Sequence, residues 1–149
     1  MSSTSPPSVV DANKAIVREL FEAWSQSRFD RVRELVDPDG EWWNLASRRS
    51  RSCRAQIDRF AALNSETTTG GIEFRVGTLT AEEDRVAVVV ESHAEFAVQG
   101  DYDNIYHFLF QLDGGRVVRA WNYYDTDLAN RVLRGQGVET PPLPSHAND

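Results

Sequence analysis

The chain has 149 residues, 40% hydrophobic and 10% aromatic, enough for one globular domain around a substantial core. Its formal net charge of -7 and isoelectric point near 5.0 oppose contact with phosphate backbones and anionic membranes. The expected partner is therefore a small apolar organic molecule, not nucleic acid or a membrane. A single cysteine, Cys53, excludes an intrachain disulfide, and neither a membrane-length apolar run nor a basic-then-apolar leader is visible, so the chain reads as cytoplasmic.

Residues 1–10 are Ser/Pro-rich, and Pro141-Pro142-Leu143-Pro144 marks a Pro-rich tail over residues 136–149. Both ends are expected to be disordered or loosely docked, which leaves one domain over residues 11–135. Asp11 can cap a helix in which Ile16, Val17, Leu20, Phe21 and Trp24 share one face at three-to-four spacing. A second short helix contributes Val32, Leu35 and Val36. Asp37-Pro38-Asp39-Gly40 then turns the chain into a strand, Glu41 to Leu45. Arg48 to Arg54 reads as a solvated basic connection, and Ala55 to Leu63 as a third helix with Ile57, Phe60 and Ala61 inward.

Four strands follow, Ile72 to Leu79, Arg85 to Val98, Tyr102 to Leu112 and Arg116 to Tyr124, from their β-branched and aromatic content. The last two form a hairpin. Asn104, Tyr106, Phe108, Phe110 and Leu112 alternate on one face, and Gly114-Gly115 supplies the positive φ that a tight turn requires. Connections this short cannot hold crossover helices, so the sheet is mostly antiparallel. The expected fold class is α+β: a cone-shaped, curved, mostly antiparallel sheet with three N-terminal helices enclosing a hydrophobic pocket.

Element order and the passages Arg28-Phe29-Asp30 through Trp43-Asn44 and Phe110 to Asp125 resemble the SnoaL-like, ketosteroid-isomerase-like proteins of the nuclear-transport-factor-2 fold, including limonene epoxide hydrolase. The resemblance covers roughly Asn13 to Leu133. It implies the fold; function must be argued from positions, because this fold carries isomerases, hydrolases, dehydratases, cyclases and binding domains. Where ketosteroid isomerases carry a general-base Asp and two oxyanion donors, the resemblance puts Asn44, Leu20 or Phe21, and Phe108, none of which can serve. Trp42 and Asn44 are similar to the water-holding pair of epoxide hydrolases. The water-activating Asp of that set falls on Asn122, and the other two members on Glu91 and His93.

Glu91, His93 and Glu95 share one strand face at period two, and two carboxylates beside an imidazole suit a proton-transfer group. Some dehydratases of this fold pair such a His with an acid of the first helix, for which Glu22 is the candidate. The expected catalytic set is thus His93 as proton shuttle, Glu91 or Glu22 orienting it, and Asn44 and Asn122 placing a substrate oxygen or water. Trp24, Trp42, Tyr106, Phe108 and Tyr124 would bind substrate. This predicts a cofactor-independent dehydratase-, isomerase- or cyclase-type enzyme. Epoxide hydrolysis and noncatalytic ligand binding are the alternatives.

No metal site is expected from three histidines and one cysteine without zinc spacing. On the opposite sheet face, Val88, Val90, Ser92, Ala94 and Phe96 with Ile105, His107 and Leu109 would form an apolar surface. Relatives of this fold commonly pair through that face, so a homodimer is expected.

Overall fold

A computed structural model describes residues 8–98 and 100–135. In chain order these form α1 (Val9–Ser25), α2 (Phe29–Glu34), β1 (Val36–Asn44), β2 (Arg49–Ser52), α3 (Cys53–Thr67), β3 (Thr68–Glu82), β4 (Arg85–Phe96), β5 (Gly100–Asp113), β6 (Arg116–Tyr124) and α4 (Thr126–Gly135). The six strands make one open, curved sheet in the order β2-β1-β6-β5-β4-β3. Every pairing is antiparallel except β1 with β6, which run parallel. Among the described residues no helix is long and apolar enough to cross a membrane.

The first helix starts earlier than expected. Ser8, not Asp11, is its cap: the Ser8 hydroxyl accepts from the Asp11 N–H at 3.1 Å, and Asp11 instead places its charge in the first turn. The tail boundary moves accordingly, since Val9 and Val10 are helical; residues 1–7 and 136–149 lie outside the described residues. Val17, Leu20, Phe21 and Trp24 are buried against the sheet as their spacing requires.

Strand β1 begins at Val36 and absorbs the predicted Asp37–Gly40 turn as a register shift before Glu41. Gly40 is needed there, because a Cβ on it would lie 2.4 Å from the Val118 carbonyl oxygen. Part of the basic connection is also a strand: Arg49–Ser52 pairs with Glu41–Asn44 at the sheet edge. The hairpin turn forms with φ of +57° at Gly114 and +81° at Gly115.

Two differences matter for function. The first is α4, a fourth helix where three were expected, capped by the Asp125 carboxylate, which accepts from the Leu128 N–H at 3.0 Å. The second is the parity of β4. Val88 pairs with Phe108 and Val90 with Tyr106, so Val86, Val88, Val90, Ser92, Ala94 and Phe96 all face inward and are buried. Glu91, His93 and Glu95 face outward with Val89, Ile105 and His107. The expected outer apolar face is corrected by this: its β4 half belongs to the core. Strand alternation leaves no intermediate solution, and the one chosen keeps three charges hydrated and buries the aliphatic set.

The main core joins α1, α2 and α3 to the sheet around Phe21, Trp42, Phe108 and Phe110, whose rings meet at 5.1–6.3 Å. A second, smaller cluster joins Ala94, Phe96 and Tyr102 to Ala129 and Val132 of α4. The space between the two clusters is not filled.

Candidate functional site

That space is a cavity of about 90 Å³, bounded by Trp24, Asn44, Phe60, Leu63, Ile72, Phe74, Phe96, Tyr102, Tyr106, Phe108, Asn122, Tyr124 and, from α4, Ala129, Val132 and Leu133. At about 15 Å³ of such volume per water it corresponds to roughly six waters, or to a small organic molecule. Its walls are fixed by polar ties between elements. The Ser25 hydroxyl accepts from the Phe74 N–H at 2.8 Å, and the Asn64 side-chain oxygen accepts from the Ile72 N–H at 2.9 Å.

Two side-chain networks line the chamber. In the first, Trp42 Nε1–H donates to Asn122 Oδ1 at 2.8 Å, wholly buried. Beside it, Tyr124 O–H and the Ala46 N–H both donate to Asn44 Oδ1, at 2.8 and 2.9 Å. These donors fix both amides with oxygen toward the protein, and the amide hydrogens of Asn44 and Asn122 have no partner among the described residues. In the second network Asn104 Nδ2–H donates to the Tyr102 oxygen at 2.8 Å and to the Asp125 carbonyl at 3.0 Å, and the Tyr102 and Tyr106 hydroxyls meet at 2.7 Å. Either hydroxyl of that pair can be the donor; in the arrangement where Tyr102 donates to Tyr106, the Tyr106 hydrogen is free to point into the chamber. Trp24 Nε1 is a further buried donor without a partner.

Burial is the largest influence on all three phenols. It raises Tyr102, pushes Tyr124 up to about 12 and holds Tyr106 well above the usual phenol range. They are neutral donors at ordinary pH. Among the described residues no carboxylate or imidazole lines the chamber, so it holds hydrogen-bond donors and apolar surface but no group that can take a proton.

The expected site residues divide cleanly. Asn44, Asn122, Trp24, Tyr106, Phe108 and Tyr124 come together around the chamber. Trp42 does not reach it; it stands behind Asn122 as a core residue 1% exposed. His93 and Glu91 lie on the outer sheet face, and Glu22 on the exposed side of α1, so none can meet a molecule in the chamber. Glu91 is bound to Arg75 across the β3–β4 pair. His93 Nδ1 meets Asp103 at 2.7 Å across β4–β5; that bond, more than the neighbouring charges, raises the imidazole pKa above 6.5.

A wider hollow of about 630 Å³ on this outer face is open to solvent; Arg75, Glu91, His93 and Asp103 are matched in those two pairs, and Glu73 lines it outside them. His93, Glu95 and Asp101 there offer possible metal-ligand atoms within 4.8 Å of one another, all exposed. Cys53 is fully buried, and burial pushes its thiol up to about 12, which removes it as a nucleophile.

Phe60, Leu63, Ile72, Phe74, Phe96, Tyr102 and the α4 residues are the chamber members that sequence reasoning missed. Tyr102 shares the parity of Tyr106 four residues on. Leu128, Ala129, Val132 and Leu133 recur at helical spacing behind a capping Asp.

Helices gathered on one face of a curved, mostly antiparallel sheet, with a cavity between two core clusters, define a nuclear-transport-factor-2-like fold. Residues 17–120 match the model of the SnoaL-like domain, and the chain belongs to that family. PrhC from Penicillium brasilianum superposes with a TM-score of 0.78 at 14% identity, covering 87% of this chain and 91% of its own. A putative SnoaL-like polyketide cyclase from Jannaschia sp. CCS1 gives 0.70 at 20% identity, covering 94% and 100%. An LEH-like epoxide hydrolase from M. tuberculosis gives 0.69 at 19% identity, covering 83% and 91%. At these identities the likeness concerns the fold. No match to this chain is found among curated proteins.

Proposed function

We propose that the protein binds a small, largely apolar organic molecule carrying a carbonyl or hydroxyl oxygen, and that the chamber holds this oxygen with neutral donors. The observation that carries this reading is the lining itself: apolar walls, amide hydrogens on Asn44 and Asn122 and three neutral phenols, with no partner for those hydrogens and no carboxylate or imidazole among the described residues. A small number of placed polar groups in an apolar cavity fixes orientation without chemistry of its own. Ligand binding therefore stands ahead of acid–base catalysis by His93.

One observation favours a second reading, a cofactor-independent cyclase-, dehydratase- or isomerase-type enzyme. The Asn104–Tyr102–Tyr106 chain is a preorganised donor relay of the kind that stabilises a developing oxyanion. In that reading Tyr106 donates to the substrate oxygen and the base comes from the substrate or from water. Water activation of the epoxide-hydrolase type is not favoured, because Asn122 Oδ1 is engaged by Trp42 and an amide takes no proton.

Quenching of tryptophan fluorescence by cyclic and aryl ketones tests the first reading, compared with hydrocarbons of the same shape. The ketone is expected to bind about 1 kcal/mol more tightly, a preference that Asn44→Leu and Tyr106→Phe reduce. Equal affinity for ketone and hydrocarbon would sink it. Measurable turnover of a bound ketone that disappears in Tyr106→Phe would move the conclusion to the enzyme. The proposal also includes a two-fold homodimer through the outer face bearing Ile105, His107, Leu109 and Tyr123; a monomer mass by light scattering at 0.1 mM counts against it.

A further inference from the structure

A second cavity of about 80 Å³ abuts the chamber and shares Asn44, Phe60, Leu63, Tyr124 and Leu133 with it. Its other walls differ in character: Arg51, Gln56, Arg59 and Asn130 turn it polar and cationic. Arg51 comes from the edge strand β2 and Arg59 from α3, and the register Trp42↔Arg51 fixes the first beside β1.

The two guanidiniums lack a partner that several other arginines of the chain have. Arg31, Arg33, Arg75, Arg119 and Arg131 each meet a carboxylate. Arg51 and Arg59 form no hydrogen bond or ion pair with the described residues, and no carboxylate among them lines the cavity. Arg59 is half-buried, and burial first, then the charge of Arg51, lowers its pKa from the usual value. A partly desolvated cation beside a second cation is unfavourable until an anion joins them. In a chain of net charge -7 that local positive site is the exception.

We propose that the two cavities are one bipartite site for an amphipathic monocarboxylate, its apolar body in the inner chamber and its carboxylate held by Arg51 and Arg59 at the polar end. The planar guanidinium fork suits a carboxylate's paired oxygens, and Gln56 and Asn130 add amide donors. Asn44 and Tyr124 sit at the junction, where the ligand passes from the apolar to the charged part. This inference rests on the ligand-binding reading and adds the charge of the ligand to it.

The test is a calorimetric series of straight-chain and phenyl-terminated carboxylates of six to fourteen carbons, each paired with its primary amide. At pH 7 and low salt the best carboxylate is expected to bind at least tenfold more tightly than its amide, consistent with a charge-assisted bond. Arg59→Gln is expected to bring that ratio below threefold by weakening the acid far more than the amide. The exposed Arg51→Gln, which carries little risk to folding, should reduce the ratio by a smaller factor. Amides binding as well as the acids would overturn the anionic site and leave the apolar reading intact. A tenfold preference that survives both substitutions would also overturn the assignment to these arginines, and no binding by any member would overturn both readings. Acetate and inorganic phosphate serve as controls; either binding as tightly as the best long carboxylate would refute the bipartite arrangement.

Discussion

Replacing Asn122 with alanine tests the polar architecture of the chamber wall most directly. Asn122 is 2% exposed and Trp42 1% exposed, and the 2.8 Å bond from Trp42 Nε1–H to Asn122 Oδ1 has no water-accessible alternative. Removal of the acceptor strands a buried indole N–H, which costs about 1–3 kcal/mol. The truncated side chain adds about 1 kcal/mol of lost packing, so the expected destabilisation is about 2–4 kcal/mol. Trp42→Phe removes the donor as well as ring volume, and in that background Asn122→Ala should cost about 1 kcal/mol less than it does alone. Urea unfolding followed by far-UV circular dichroism measures all four corners of the cycle without relying on the altered tryptophan signal. A cost below about 0.5 kcal/mol for Asn122→Ala, or additive effects in the double variant, would refute the claim that this bond organises the wall.

On the outer face, His93 should titrate above 6.5 by NMR, and Asp103→Asn should move it down toward 6.5 without changing ligand affinity; an unmoved His93 would contradict the pairing. Because the folded-state pKa is raised, this pair stabilises the fold below about pH 6.5, and the contribution is lost as pH rises through the folded-state value. Cys53, with its thiol pushed up to about 12, should resist a disulfide reagent at pH 8 in the native protein and react fully in urea; rapid native labelling would contradict its burial. Gly40→Ala should lower stability by about 1–3 kcal/mol, since the new methyl meets the rigid Val118 backbone at 2.4 Å; an unchanged urea midpoint would show that the β1–β6 contact yields.

The hairpin was legible because two independent signals agreed, the alternation from Asn104 to Leu112 and the paired glycines. So was the family, from element order. The placement of His93 went astray for a definite reason: its two neighbouring carboxylates read as chemistry. The alternation of Val86, Val88, Val90, Ala94 and Phe96 was the stronger physical constraint, because one strand cannot bury both its sets. The edge strand at Arg49–Ser52 has four exposed residues and no apolar period, so only its pairing partner reveals it. Helix α4 was hidden between an aromatic strand and a Pro-rich tail, though its spacing and its capping Asp125 were present. Asn44 and Asn122 line the chamber, and the direction of their amides depends on Trp42, Tyr124 and Ala46, contacts that only folding brings together.

The division of the interior into two clusters has a consequence for how this chain can change. The large core settles the sheet and the first three helices, whereas α4 meets the rest mainly through the small cluster around Phe96 and Tyr102. The last ten described residues therefore close one side of a chamber whose other walls come from α1, α3 and the sheet. During synthesis the cavity gains its final wall only after Leu133 has left the ribosome. Over evolutionary time, exchanges at Ala129, Val132 and Leu133 can reshape what the chamber admits while the main core keeps its packing. Specificity and foldability are thereby written in different parts of the same short sequence.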